Sequence, residues 1–377
     1  MITNPTPTDS VLTNTPPPKL GLYIHIPFCL RKCHYCDFFS LSSSPESRTN
    51  YINYLVNNIT SFPSSPAAPH CNNALVDTIF FGGGTPSVLS PNQLNSILTA
   101  LHSTFTISPS AEISIEVNPK THADYSALKS IGFNRLSLGL QSDNNAILKH
   151  LGRLHTAEDF FAEYNIAQRY FDNINIDLMF GLPHQTLESW QSTLKNIINL
   201  NPAHISTYSL IIEPGTPFYN QTLTLPPEDI ERNMYYTASQ TLAQAGLNRY
   251  EISNFSHINK ECKHNLKYWT RQDYLGFGSN AHSMVNNVRY QNSSELEYKT
   301  SIEEVVTPSE RVKEQIMLGL RLSCGVLITP KIQGKYGDAL RRQELLGNLK
   351  ITNSHAILTP RGIDISNVVI SEILNFD

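Results

Sequence analysis

The sequence predicts an α/β fold in which an open, partial (β/α)6 TIM-like barrel is followed by a small winged-helix-like domain. Between residues 21 and 245, six short apolar stretches alternate with helical ones, which is typical of βαβ units and a parallel sheet. No dinucleotide-binding glycine fingerprint accompanies these units, and this favours a partial barrel over a doubly wound sheet. After residue 306 the alternation stops, and the remaining helices and hairpin predict the C-terminal domain.

Each unit carries local signals of its own. The alternation of Leu22, Ile24 and Ile26 indicates the first strand, and buried apolar runs indicate the later ones. The second helix begins after Ser90, a good N-cap, with Pro91 in its first turn. The predicted strands are residues 21–26, 74–81, 113–117, 135–140, 173–180 and 204–211, and the other predicted helices are 44–59, 123–130, 143–170, 187–200 and 227–245.

Composition divides the chain into four parts. Residues 1–19 are rich in Thr, Pro, Ser and Asn and bury too little apolar surface to fold, so we predict a disordered tail. Residues 20–246 are the predicted core barrel, and 247–306 are a predicted barrel extension, with strands or loops at 249–255, 275–284 and 288–291. Residues 307–377 are the predicted C-terminal domain, with helices at 310–322 and 338–346, a hairpin at 349–358 and a last helix from 362.

Charge and hydropathy exclude several classes of protein. The 377 residues carry a net charge of -4, which gives no basic field for nucleic acid, so we expect no nucleic-acid partner. No apolar run reaches the roughly 18 residues that a membrane span needs, and the N-terminus does not resemble a secretory signal. We therefore expect a cytoplasmic protein, in a reducing compartment that suits free thiolates.

The loop after the first strand has three cysteines at ligand spacing, Cys29, Cys33 and Cys36. Structural zinc sites need four ligands, usually in two pairs, and no second pair follows. Three is also an odd number for disulfides. An iron-sulfur cluster suits three thiolates, because three irons would be held by the protein and the fourth would keep an open site.

Polar residues lie at the carboxyl ends of the predicted strands, where the active sites of barrel enzymes are found. Gly82, Gly83, Gly84 and Thr85 follow the second strand, although a glycine run alone is more often a plain turn. An acid at the end of the third strand is, by itself, equally consistent with a solvent-facing side chain. The later strand ends and their loops supply an amide, a cation and a second acid. These residues are Glu116, Gln141, Arg153 and Asp177.

The spacing C-x-x-x-C-x-x-C resembles the signature of the radical SAM superfamily. The resemblance implies a [4Fe-4S] cluster whose open iron binds S-adenosylmethionine, which is then cleaved to a 5'-deoxyadenosyl radical. It also implies that the glycine motif contacts the amino group of S-adenosylmethionine, while Arg153 suits its carboxylate and Asp177 its ribose hydroxyls. The residues predicted to bind cofactors are Tyr23, Tyr35, Gly83, Gly84, Thr85, Glu116, Gln141, Arg153, Asp177 and, for heme, His264.

Within the superfamily, GLYIHIPFC (21–29), GGGTPS (82–87), EVNP (116–119), LSLGLQS (136–142) and YEISNF (250–255) resemble the coproporphyrinogen dehydrogenase branch. Three features favour its HemW family of heme chaperones over the oxygen-independent dehydrogenases. Phe38 stands where the dehydrogenases have a fourth cysteine, the N-terminal extension is short, and HNLKYW (264–269) matches the His-Asn-x-x-Tyr-Trp motif. The resemblance implies heme binding and transfer to an acceptor hemoprotein, such as a respiratory one, with membrane contact only peripheral and through that acceptor. The alternative is decarboxylation of coproporphyrinogen III to protoporphyrinogen IX.

Histidines are the predicted heme contacts, because imidazole is a standard axial ligand of heme iron. His264 is the first candidate and His282 the second, although from the residues alone a hydrogen-bonded structural histidine is the more common case. His25 and His34 would shape the surroundings of the cluster. One residue departs from the family pattern: Asp143 replaces an aromatic residue beside the predicted nucleoside site.

Overall fold

The computed structural model describes residues 17–42, 44–65, 67–71, 73–352 and 354–376. Most of the predicted disordered tail, residues 1–16, lies outside the described residues. The end of that prediction is wrong, because Lys19 already belongs to the first strand and pairs with Leu75. The first strand begins at Lys19 because the neighbouring strand begins at Leu75 and can pair with it.

Six parallel strands form the centre of a larger sheet and follow one another in chain order. Helices join each strand to the next and cover the outer face, so the predicted partial α/β barrel is confirmed. The strands are β1 (Lys19–Ile26), β2 (Leu75–Gly83), β3 (Thr106–Val117), β4 (Arg135–Gln141), β5 (Ile174–Phe180) and β6 (His204–Ser209). The helices are α1 (Pro45–Ser61), α2 (Pro91–Thr104), α3 (Tyr125–Ser130), α4 (Asn145–His150), α5 (Ala157–Ala167), α6 (Leu187–Ile198) and α7 (Glu228–Gln244).

The helices begin at capping residues that the sequence supplies. Ser90, Thr156 and Thr186 each form a capping box, in which the cap and the third helical residue satisfy each other's backbone amides. Trp190 of α6 is fully buried, and its indole Nε1 donates to the carbonyl of Met234 in α7 at 2.9 Å. These contacts hold the outer helices against the sheet.

Alternation along the strands separates an apolar outer face from a polar inner one. In β5, Ile174, Ile176 and Leu178 are buried in the main apolar core between sheet and helices. Asn175 and Asp177, on the opposite face, point into the barrel with the polar residues of neighbouring strands. The interior of the barrel is therefore a polar lining that leads to the candidate site.

Shorter strands extend the sheet at both edges. At the β6 edge, β8 and then β7 add antiparallel strands; at the β1 edge, β9 is parallel and the next three are antiparallel. A short helix, α8, crosses between the two edges and contacts β2. The elements are β7 (Asn248–Arg249), β8 (Asn254–Ser256), α8 (Lys263–Trp269), β9 (Tyr274–Phe277), β10 (His282–Val285), β11 (Val288–Asn292) and β12 (Thr300–Val305).

The C-terminal residues form a separate apolar core around a three-stranded antiparallel sheet. Its second helix is longer than predicted, because Thr329 caps it and Ile332 and Tyr336 bury its first turns. The predicted last helix is broken at Ile365. The winged-helix-like assignment and the domain boundaries stay predictions. The elements are α9 (Pro308–Gly319), β13 (Val326–Leu327), α10 (Pro330–Leu345), β14 (Leu349–Thr352), β15 (His355–Leu358), α11 (Pro360–Asp364) and α12 (Ser366–Leu374).

Candidate functional site: a cavity at the carboxyl ends of the strands

A cavity of ≈ 640 Å³ opens at the carboxyl ends of the parallel strands. Apart from His282, the second candidate for heme, its walls include every residue predicted as a cluster ligand or cofactor contact, although these residues come from separate strands and loops. Their roles as ligands stay predictions. They are Cys29, Cys33, Cys36, Tyr23, Tyr35, Gly83, Gly84, Thr85, Glu116, Gln141, Arg153, Asp177 and His264.

The cysteine loop leaves β1 and returns beside it. The amide of Cys29 donates to the carbonyl of Leu41 at 3.1 Å, which closes the base of the loop. The three thiols are free and half-buried. A closed loop of this kind holds the thiols at the mouth of the cavity.

The arrangement of the thiols is compatible with a cluster. Within the described residues, no three His, Cys, Asp or Glu side chains converge on one metal position. A cubane cluster needs no such convergence, because each thiolate binds a different iron. Arg153 Nη1 donates to Cys33 Sγ at 3.6 Å, and Thr85 Oγ1 lies 3.5 Å from Cys29 Sγ. Both contacts place a hydrogen-bond donor beside a cysteine sulfur, which suits a negatively charged thiolate.

Burial disfavours the thiolate form of two of the three cysteines, Cys29 and Cys36. It raises the pKa of Cys29 and raises the pKa of Cys36 to about 11. Metal binding requires thiolates and therefore releases these protons. Cluster assembly should accordingly be favoured by mildly alkaline solution.

The glycine turn after β2 is bonded to the cysteine loop. The amides of Gly84 and Thr85 donate to the carbonyls of Ile26 and Phe28, both at 2.8 Å. A β-carbon on Gly84 would lie 2.8 Å from the carbonyl oxygen of Phe28. These two amides are thus occupied within the protein, and the contact of the glycine motif with the amino group of S-adenosylmethionine stays a prediction. Glycine is needed here for close backbone packing.

Arg153 lies at the centre of the cavity wall. Its Nη2 donates to Asn118 Oδ1 and to the carbonyl of Gly139, both at 2.6 Å. Asn118 in turn donates to Thr85 Oγ1 at 2.9 Å. The Nε of Arg153 is buried and has no hydrogen-bond partner among the described residues. Three of the five N–H donors of the guanidinium are thus used, and one on Nη1 and one on Nε have no partner among the described residues.

Two acids face each other across the cavity floor. Burial, with the nearby Asp177 carboxylate, raises the pKa of Glu116 to about 8. Burial also raises the pKa of Asp177, although its carboxylate accepts hydrogen bonds from Asn175 Nδ2 at 2.7 Å and Ser137 Oγ at 3.2 Å. The guanidinium of Arg135 is buried beneath them and favours their ionised forms. Carboxyls that are desolvated and poorly paired are typical of ligand sites.

The cavity wall also contains functional residues that the sequence did not predict. Tyr208, near the end of β6, donates to Gln141 Oε1 at 2.9 Å. Gln141 itself has a positive φ of 72°, a conformation that is rare for a non-glycine residue and common at functional sites. Applying the strand-end rule to β6 would have found Tyr208, and Asn118 lies inside the EVNP motif already noted.

His264 is at the cavity wall, but both of its ring nitrogens are already hydrogen-bonded. Nδ1 lies 2.9 Å from Thr78 Oγ1, and Nε2 lies 2.9 Å from the hydroxyl of Tyr268. The side chain is buried, and burial lowers its pKa to about 3. In this conformation neither nitrogen can reach a heme iron. The heme contact at His264 stays a prediction that requires Tyr268 to move.

The other sequence candidates lie around the cavity. His25 is buried, with Nε2 3.1 Å from the carbonyl of Phe39, so it holds the returning end of the cysteine loop. His34 Nδ1 lies 2.8 Å from the carbonyl of His150. Asp143 does not line the cavity: its carboxylate accepts hydrogen bonds from Thr193 and Asn196 of α6. The departure at Asp143 therefore does not alter the cavity wall.

Comparison with known proteins identifies the family. The profile of the Radical SAM superfamily matches residues 23–197. The heme chaperone HemW of Bacillus subtilis (strain 168) is 36% identical over 341 residues, which cover 84% of this chain and 87% of that protein. HemW of Lactococcus lactis subsp. lactis (strain IL1403) is 34% identical over 377 aligned residues, covering 93% of this chain and 96% of that protein. The chain belongs to the HemW family.

The HemW family lies within the radical SAM superfamily, so membership implies a [4Fe-4S] cluster and S-adenosylmethionine. The fold of this HemW-family chain matches that of coproporphyrinogen III oxidase (HemN) from Escherichia coli, with a TM-score of 0.82 and 24% identity. That match covers 97% of this chain and 92% of the other. Across the described residues, no helix combines the length and apolarity needed to cross a membrane.

Proposed function

We propose that this chain is a heme chaperone that binds heme and transfers it to an acceptor hemoprotein, while carrying a [4Fe-4S] cluster with S-adenosylmethionine on the open iron. The observation that carries the proposal is the similarity to proteins named heme chaperone HemW over 84% and 93% of this chain. The cavity supports it, because three thiols and a set of polar groups suited to S-adenosylmethionine share one wall.

The chain's own residues would hold the cofactors as follows. Cys29, Cys33 and Cys36 would bind three irons, and the cluster with S-adenosylmethionine supplies one-electron chemistry when bound. Arg153 lines the cavity and suits the carboxylate of S-adenosylmethionine. Glu116 suits its amino group.

Glu116 would receive that amino group beside the glycine turn, because its Oε1 would lie 3.2 Å from a β-carbon at Gly82. Asp177, oriented by Asn175 and Ser137, suits the ribose hydroxyls. The hydrogen bonds that already surround these groups fix their positions before the ligand arrives. Preorganisation of this kind lowers the entropy lost on binding.

Titration of hemin into the anaerobically reconstituted chain tests the proposal. We expect a Soret band that saturates at one heme per chain. Mixing the heme-loaded chain with heme-depleted respiratory membranes should then restore the cytochrome bands faster than heme supplied on serum albumin. A chain that binds no heme, or that restores the bands no faster than the albumin control, would contradict heme delivery.

The alternative function is oxidative decarboxylation of coproporphyrinogen III to protoporphyrinogen IX. Its support is the fold that the chain shares with HemN, and a shared fold does not fix the reaction. Phe38 occupies the position of the dehydrogenases' fourth cysteine and is 66% exposed on the loop. Incubating the reconstituted chain anaerobically with coproporphyrinogen III, S-adenosylmethionine and a reductant decides between the two. Formation of protoporphyrinogen IX over many turnovers would replace the chaperone proposal.

A further inference from the structure

We propose that heme binds in a second, aromatic groove beside the cofactor cavity, with His282 as the ligand of the heme iron. This inference rests on the proposed function, since it assigns the heme site of the chaperone. The groove has a volume of ≈ 360 Å³ and lies between the cysteine loop and strands β9 and β10. Its lining includes Tyr23, Phe38, Phe39, Tyr268, Tyr274 and His282.

His282 has the properties of an iron ligand. It lies at the start of β10, a strand paired with β11, so its backbone is held by the sheet. Its side chain is 46% exposed, and Nδ1 lies 3.3 Å from Glu303 Oε2. Nε2 makes no hydrogen bond to a described residue. A carboxylate that accepts from one ring nitrogen fixes the tautomer in which the other nitrogen can bind metal.

The aromatic walls suit a flat, largely apolar macrocycle. Phe38, on the cysteine loop, is 66% exposed and lines the groove. Two further lining residues, Tyr268 and Tyr274, meet edge to face, with 4.7 Å between their ring centroids. A porphyrin could therefore stack between faces that are already in place. The groove is open on one side, which suits a carrier that must release its cargo.

The two candidate histidines differ in what their nitrogens can do. His264 is 1% exposed and is bonded at both nitrogens, to Thr78 and to Tyr268. It therefore acts on the groove through Tyr268, whose hydroxyl it holds. His264 is thus a positioning residue, whereas His282 presents a nitrogen to the ligand. The motif at 264–269 would serve heme binding by building one wall of the groove.

The groove also adjoins the cofactor cavity. Tyr23, Phe38 and Tyr268 line both spaces, so a single layer of side chains separates them. Heme in the groove would be next to the cluster loop without entering the space that S-adenosylmethionine needs. One chain can thus accommodate both ligands.

Hemin titration of full-length, anaerobically reconstituted variants tests the assignment. The variants are His282→Ala, Glu303→Gln, His264→Ala and, as a matched exposed-histidine control on α2, His102→Ala. We expect His282→Ala to lose the wild-type Soret position. Glu303→Gln should weaken heme binding by about 10- to 100-fold, the usual effect of removing the partner of a metal-bound histidine. His264→Ala should keep the wild-type Soret position even where its affinity falls, and His102→Ala should match the wild type.

A rescue experiment separates loss of the ligand from loss of folding. His282→Gly should regain the wild-type Soret position when imidazole is added, because free imidazole can occupy the vacated ligand position. Wild-type affinity and spectrum in His282→Ala would overturn the inference while leaving heme binding intact. Absence of any Soret band in the wild type would overturn the proposed function as well, so the two failures are distinguishable.

Discussion

Replacing Glu116 with glutamine should stabilise the chain in the absence of S-adenosylmethionine. The carboxyl faces the cavity, where burial and the neighbouring Asp177 raise its pKa from 4.5 to about 8. At neutral pH the folded chain must therefore keep a proton that the unfolded chain has released. Glutamine keeps a similar shape without needing that proton, so the cost disappears.

The pKa shift sets the size of the effect. At pH 7 the pKa of an unfolded glutamate lies about 2.5 units below the pH, and each unit is worth about 1.36 kcal/mol, so the upper limit is about 3 kcal/mol. Glu116 also faces water in the cavity, which reduces the desolvation penalty. We therefore expect a gain of about 1–3 kcal/mol in the free energy of unfolding at pH 7.

The sign of the pH dependence follows from the direction of the shift. Between the unfolded pKa and the folded pKa of about 8, the folded wild type binds more protons than the unfolded wild type, so its stability falls as pH rises. The advantage of Glu116→Gln should be small near pH 4.5, grow with pH and level off above about pH 8. Urea unfolding of both proteins at several pH values measures this difference.

An exposed acid with the opposite shift provides the control. Hydrogen bonds, first from Asn145, lower the pKa of Glu158, so Glu158→Gln should not stabilise the chain. Glu116→Gln should also weaken S-adenosylmethionine binding in calorimetry, because the amino group loses its anionic partner. An advantage that is independent of pH, or a variant less stable than the wild type at pH 8, would refute the reasoning.

Three further changes probe the cluster loop, a buried ion pair and a glycine. Cys33→Ala should lower the iron and sulfide content after reconstitution, and an unchanged content would contradict its role as a ligand. Lys267→Met removes the buried ammonium that lies 2.6 Å from Asp77, although Asp77 is 23% exposed and keeps Lys19 at 3.7 Å, so urea unfolding should show a loss of about 1.5–3 kcal/mol; a loss below about 0.5 kcal/mol would contradict the reasoning. Gly278 has a φ of +105°, and a β-carbon there would lie 2.5 Å from a carbonyl oxygen of β1. Gly278→Ala should therefore lower the melting temperature, whereas Gly334→Ala, in the open on α10, should raise it by removing about 1 kcal/mol of helix-propensity cost.

Much of the core could be predicted because its signals are local. Apolar alternation located the six parallel strands, and the rule that barrels place polar residues at strand ends found Glu116 and Asp177. One helix boundary was predicted wrongly. The sequence predicted a short helix at 338–346, yet the cap at Thr329 and the buried face begun by Ile332 extend it to Pro330. Tertiary burial outweighed local propensity there.

The sequence by itself determined the cysteine spacing, the polar face of each strand and the family to which the chain belongs. Only the tertiary structure decided which hydrogen-bond donors and acceptors of each polar group remain available to a ligand. Thr78 and His264 are 186 positions apart, and their hydrogen bond, together with the one to Tyr268, occupies both ring nitrogens of a candidate heme ligand. His282 keeps Nε2 available because Glu303 approaches from another strand. Sequence spacing shows which residues are close along the chain. Which donors and acceptors are already hydrogen-bonded depends on residues that only folding brings together.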